Sequence, residues 1–66
     1  MKNRIKVARA EKDLSQAELA QQIGVSRQTI NSIETGRYVP STVLALKLAR
    51  TFGKPVEEFF SLEETD

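Results

Sequence analysis

The 66-residue chain has no cysteine and no histidine. The first absence excludes disulfides and thiolate metal sites. The second removes the commonest metal ligand, the imidazole of a Ser-His triad and the usual general base. Tryptophan is also absent, and aromatic residues make up only 6 % of the chain. No apolar run approaches the ~20 residues that span a bilayer. The opening stretch, MKNRIKVARAEK, lacks the apolar segment of a secretory signal. No paired carboxylates and no phosphate-cradling glycine loop are visible, so an enzyme is a poor reading. A chain this short buries only about 60 % of the surface its unfolded form exposes. With 39 % hydrophobic residues, its core is thin. These absences point to one small domain over residues 1–66, soluble and cytoplasmic, acting as a binding module without cofactor, metal or membrane. Small scaffolds without staples often gain core by dimerising.

What is present is unevenly charged. The net charge is +1, but all ten Lys and Arg lie in residues 1–54. That stretch holds only Glu11, Asp13, Glu18 and Glu34 as acids, so ten bases against four acids leave +6. Residues 55–66 carry Glu57, Glu58, Glu63, Glu64 and Asp66 with no base, or −5. A basic body suits a polyanionic partner. The plainer reading is a solvated surface with an acidic tail, residues 61–66, that aids solubility.

The helix punctuation is clear. Ser15, Ser26 and Ser41 each precede a helix-patterned run, and a serine oxygen accepts from an otherwise unpaired N–H of the first turn. Ser15-Gln16-Ala17-Glu18 has the spacing of a capping box. Gly24, Gly36 and Gly53 sit where helices end, and Pro40 and Pro55 lie in connections ahead of helix starts. Five helices are predicted, at about 3–12, 16–23, 27–35, 42–52 and 56–61. Only Phe59 to Glu63 offers any competing strand alternation. Ile5 and Ala8 mark the inward face of the first helix. Leu19, Ala20 and Ile23 mark that of the second, and Ile30 and Ile33 that of the third. Opposite them on the third helix lie Arg27, Gln28, Asn31, Ser32 and Thr35, a polar face with no acid. The fourth helix carries apolar residues over an arc of about 200°, wider than the ~100° stripe that one core face needs. Its surplus, Leu44 and Leu48, together with Phe59, Phe60 and Leu62, is expected to form a dimer interface. The other expectation for Phe59 and Phe60 is that they split, since adjacent helix residues point about 100° apart.

The segment SQAELAQQIGVSRQTINSIE, Ser15 to Glu34, has the pattern of a helix-turn-helix. Ala20 is small where the two helices come closest. Gly24 suits a turn with positive φ. Val25 plugs the turn, and Ser26 starts the second helix. Leu19, Ile23, Val25, Ile30 and Ile33 supply the buried positions. A hairpin that only builds core would need fewer of these features.

On these residues, with LALKLARTFGKPVEEFF after them, the chain resembles the short phage-repressor-type (Cro/cI-like) helix-turn-helix family from about Asn3 to Leu62. The resemblance implies an all-α domain of five helices that binds double-stranded operator DNA as a homodimer and regulates transcription, as a repressor. It implies that the third helix enters the major groove with its N-terminal residues at the base edges. Arg27, Gln28, Asn31 and Ser32 match those positions. Arg can grip guanine O6 and N7, and Gln or Asn can grip adenine N6 and N7. Gln16, Ser26, Arg37 and Tyr38 match positions that touch the DNA backbone. The plainer reading of each of these side chains is an ordinary surface group, and of Tyr38 a ring at the edge of the core. Arg9 and Glu34 match positions that pair the first helix with the third. Thr35 stands where the family commonly has Asn, and Ala8 and Ala45 where it commonly has Leu, which bears on packing more than on reading DNA. The competing reading is an antitoxin or adaptor that docks a protein partner on the apolar surface of the fourth and fifth helices.

Overall fold

The computed structural model describes all 66 residues. Four α-helices follow a short strand: β1 (Lys2–Asn3), α1 (Ile5–Glu11), α2 (Gln16–Ile23), α3 (Arg27–Glu34) and α4 (Thr42–Phe52). A single 3-10 turn (Val56–Glu58) and β2 (Phe60–Ser61) complete the chain. No helix is long and apolar enough to cross a membrane.

The caps explain the helix boundaries. Ser15, Ser26 and Ser41 are N-caps in extended backbone, and their hydroxyls accept from the N–H groups of Glu18, Thr29 and Leu44. At α2 the box is reciprocal, because the Glu18 carboxylate accepts from the Ser15 N–H at 3.0 Å. Gly24 closes α2 at φ +76°. A side chain there would meet no neighbour, so the glycine is required by backbone conformation and not by space. Within the loop after α1, Asp13 adopts the same left-handed region, at φ 56°, which a short polar side chain tolerates better than most.

The Ser15 backbone bond holds the Glu18 carboxyl below its ordinary pKa of 4.5. The folded value is therefore the lower one. The stability that Glu18 contributes is full above the ordinary value and is lost as pH falls through the depressed one. Melts followed by circular dichroism between roughly pH 6 and pH 3 should show wild type losing Tm faster than Glu18→Gln. Superimposable curves would mean the box carries no charge-dependent stability.

Twelve hydrophobic side chains form the core: Ile5, Ala8, Leu19, Ala20, Ile23, Ile30, Ile33, Leu44, Leu48, Phe52, Phe59 and Phe60. No polar side chain is buried among them. The inward faces expected for α1, α2 and α3 are those observed.

The five-helix expectation is corrected at both ends. The first helix begins at Ile5, not at residue 3, because Asn3 pairs with Phe60 and Lys2 with Ser61 in an antiparallel ladder. The Arg4 N–H extends that pairing to the Phe59 carbonyl at 2.8 Å. The fifth helix is replaced by one 3-10 turn, in which Glu58 and Phe59 donate to the carbonyls of Pro55 and Val56. The chain then straightens into β2. This change of conformation lets two consecutive phenylalanines both point inward. Phe59 meets Phe52 edge-on at 5.1 Å and Phe60 at 5.2 Å. A continuing helix would have turned one of them out.

Burial also corrects the expected dimer interface. Leu44, Leu48, Phe59 and Phe60 are 8 % exposed or less and belong to the chain's own core. Of that set only Leu62, at 79 % exposure, offers surface. The apolar surplus of α4 lies on its other edge, at Val43 and Leu46, 64 % and 59 % exposed.

Candidate nucleic-acid interface

The outward side of α3 is built by the two flanking helices. Ile30 and Ile33 anchor the helix in the core, so the positions opposite them face out. Arg27, Gln28 and Asn31 are exposed, and Ser32 is half-buried. The one acid on α3, Glu34, is turned aside and only 7 % exposed at its side chain. The exposed face thus offers a guanidinium, two carboxamides and hydroxyls, with no negative charge.

Ser26, the N-cap of α3, is already occupied, accepting from the Thr29 N–H at 3.1 Å and lying 2.9 Å from the Thr29 hydroxyl. Beyond α3, Gly36 adopts φ +79°. The chain then folds back so that the N–H groups of Arg37 and Tyr38 both donate to the Ser32 carbonyl, at 2.9 and 3.2 Å. This return holds the Tyr38 ring beside α3. With Ser26, Gln28, Thr29 and Ser32 it lines a polar groove of about 360 Å³. Arg37 is exposed at the same turn. Tyr38 is 45 % exposed and not a core ring. Thr29, whose N–H donates to the Ser26 cap, was not singled out by sequence reasoning, because its place in the groove wall emerges only once the Tyr38 loop is in place.

A second set of bonds fixes the pose of α3. Arg9 from α1 donates through Nε and an Nη to the two carboxylate oxygens of Glu34, at 2.7 and 3.2 Å. Its other Nη donates to the Leu14 carbonyl at 2.8 Å. The guanidinium is therefore satisfied on both sides, and the Glu34 bond raises its pKa above the ordinary value. Gln16, at the first position of α2, directs its amide nitrogen to Glu34 at 3.3 Å and to the Asn31 side-chain oxygen at 3.2 Å. Asn3 closes the far end of the helix, donating to the Ile33 carbonyl at 2.9 Å while its oxygen accepts from the Ile5 N–H. Sequence reasoning missed Asn3 and the Gln16 bridge, since neither partner lies within reach along the chain.

The acidic tail sits away from the start of α3. Glu63 and Asp66 pair with the N-terminal ammonium at 3.2 and 3.1 Å. That terminus leads into β1, which Asn3 ties to the C-terminal end of α3. Arg27 and Gln28 lie at the opposite end.

Two short helices joined by a glycine turn, the second presenting a polar face without acid, define a helix-turn-helix protein. A helix-turn-helix family profile matches residues 5–59, and the chain belongs to that family. It is similar to an uncharacterised HTH-type transcriptional regulator of Methanocaldococcus jannaschii, at 48 % identity over 66 residues and 100 % of both chains. It also resembles the cryptic phage CTXphi transcriptional repressor RstR of Vibrio cholerae, at 38 % identity over 97 % of this chain and 58 % of that one. Among solved structures, the restriction-modification controller protein C.AhdI of Aeromonas hydrophila shares the fold with a TM-score of 0.77. Its identity is 34 %, over 85 % of each chain.

Proposed function

We propose that this chain is a sequence-specific double-stranded-DNA-binding transcriptional regulator, a repressor that acts as a homodimer on a palindromic operator. The observation that carries the reading is the acid-free exposed face of α3, with Arg27, Gln28 and Asn31 outward. Side chains of these types match the donor and acceptor edges of bases in the major groove. Ser32 completes the base-reading set. Gln16, through its backbone N–H at the start of α2, together with Ser26, Arg37 and Tyr38, flanks that face and contacts phosphate and sugar, which sets register without carrying sequence information. Kinship with named transcriptional regulators, a phage repressor among them, supports the same reading.

Two copies meet through a different surface from the one first expected. Met1, Val39, Pro40, Leu46, Val56 and the edge of Phe60 line an apolar groove of about 300 Å³. It adjoins the loop that follows Tyr38, so a partner seated there leaves α3 open to DNA. The molecule measures 32 × 22 × 20 Å. Two such bodies side by side suit half-sites one helical turn, about 34 Å, apart.

Selection from a random duplex library at near-physiological salt tests both parts, because salt suppresses non-specific phosphate binding. The expected product is a palindrome with half-sites one turn apart. Arg27→Ala and Gln28→Ala should each relax one base position by about tenfold. Leu46→Glu should sediment as a monomer and recover single half-sites. No enrichment, with binding that vanishes as salt rises, would defeat the DNA reading and favour an adaptor that docks a protein in the apolar groove.

A further inference from the structure

We infer that Gln16 sets which base Asn31 reads, by fixing the direction in which the Asn31 amide points. The inference rests on the proposal that α3 enters the major groove. It starts from a chain of four side chains on three helices: Arg9, Glu34, Gln16 and Asn31.

The direction of every bond in that chain is forced. Arg9 has only donors, and it holds both oxygens of Glu34. An ionised carboxylate has only acceptors. Gln16 lies 3.3 Å from one of those oxygens, so the group it turns to Glu34 must be its NH2 and not its carbonyl. The same nitrogen lies 3.2 Å from the Asn31 side chain. A donor there requires an acceptor opposite, so Asn31 turns its carbonyl oxygen toward α2. An amide is a flat fork with its acceptor on one arm and its two donors on the other. With the oxygen edge aimed at Gln16, the NH2 becomes the edge that leads away from α2, on the exposed face of α3.

This arrangement changes what Asn31 can recognise. A free asparagine reads adenine by using both edges at once, accepting from N6 and donating to N7. Asn31 leads with donors only. The matching edge is guanine, whose N7 and O6 are both acceptors. Adenine places its N6 donor against the Asn31 NH2, and cytosine presents only a donor. Thymine offers one acceptor, O4, beside its methyl group, where guanine offers two, so Asn31 selects guanine, against the usual asparagine preference. Gln16 acts as a positioning residue for specificity, beyond any contact of its own with phosphate.

The test compares full-length wild type, Asn31→Ala and Gln16→Ala in the same duplex selection, followed by binding to single-base variants of the recovered site. Asn31→Ala identifies the base pair that Asn31 reads. Wild type should hold guanine there over adenine by about tenfold. Gln16→Ala frees the Asn31 fork to rotate, so the preference at that one pair should fall to parity or move to adenine. A lost phosphate contact would instead weaken all sequences equally. Uniform weakening in Gln16→Ala with guanine retained overturns the inference. So does adenine at that pair in wild type, or an Asn31→Ala variant that relaxes no position. If wild type enriches no sequence at all, the DNA-reading proposal itself fails, and that outcome is distinct from the others. Gln16→Ala keeps a good helix former at the first position of α2, and an unchanged Tm confirms that the fold is intact.

Discussion

Phe59→Ala should remove a large fraction of the chain's stability at 25 °C, about 3–5 kcal/mol. The ring is 2 % exposed and packs between Phe52 and Phe60. Truncating a buried phenylalanine costs roughly 3–5 kcal/mol, including the cavity left behind. A domain of this length has a total stability on the order of 3–10 kcal/mol. One substitution thus removes a large fraction of it. Leu62→Ala, three residues on and 79 % exposed, should shift stability by no more than about 0.5 kcal/mol. Urea unfolding followed by circular dichroism reads both. The contrast separates the observed core role of Phe59 from the interface role expected from sequence. An interface residue would give a stable monomer whose sedimentation alone had changed.

That segment also shows where sequence reasoning stops. The helix boundaries of α2, α3 and α4 were legible because they are written locally. A serine cap, a glycine at positive φ and a 3.6-residue apolar period all act within a few positions. The pairing of Lys2 and Asn3 with Ser61 and Phe60 is not local. Two-residue strands have no period to detect, and their partners lie at opposite ends of the chain. Once that ladder forms, it claims Asn3 from the first helix and Phe60 from the last. The wheel of α4 failed for a related reason. Both of its edges are apolar, and which edge is covered depends on where α2 and the aromatic cluster settle. Val43 and Leu46, on the edge away from that packing, remain 64 % and 59 % exposed. On the candidate interface, the outward set on α3 followed from its opposition to Ile30 and Ile33. The pairing of Arg9 with Glu34 came only from family resemblance. The Gln16 bridge between them and Asn31 needed three helices in place.

Glu34→Ala should cost roughly 2–3 kcal/mol, somewhat below the 3–5 kcal/mol of breaking a fully buried pair. The side chains are 15 % exposed at Arg9 and 7 % at Glu34, so the guanidinium left behind keeps some access to water. Arg9 cannot escape by losing its proton, because a guanidinium stays charged across the pH range in which proteins fold. Arg9→Ala should cost a similar amount. It leaves the carboxylate with only the 3.3 Å bond from Gln16. The double variant removes both charges and strands neither. It should therefore be little worse than either single change, with a coupling of about 2 kcal/mol in the double-mutant cycle. Additive losses in urea titrations would show that the pair is not coupled. Binding supplies a second readout. Glu34→Ala removes the acceptor that orients Gln16, and through it Asn31. At a temperature where the variant is still folded, guanine preference at the Asn31 base pair should relax as it does in Gln16→Ala. The exposed positive charges remain, so non-specific affinity at low salt should hold. Stability and base preference would then fall together from a residue that touches no DNA, because the bond that docks α3 on α1 also sets the polarity of the amides on its reading face.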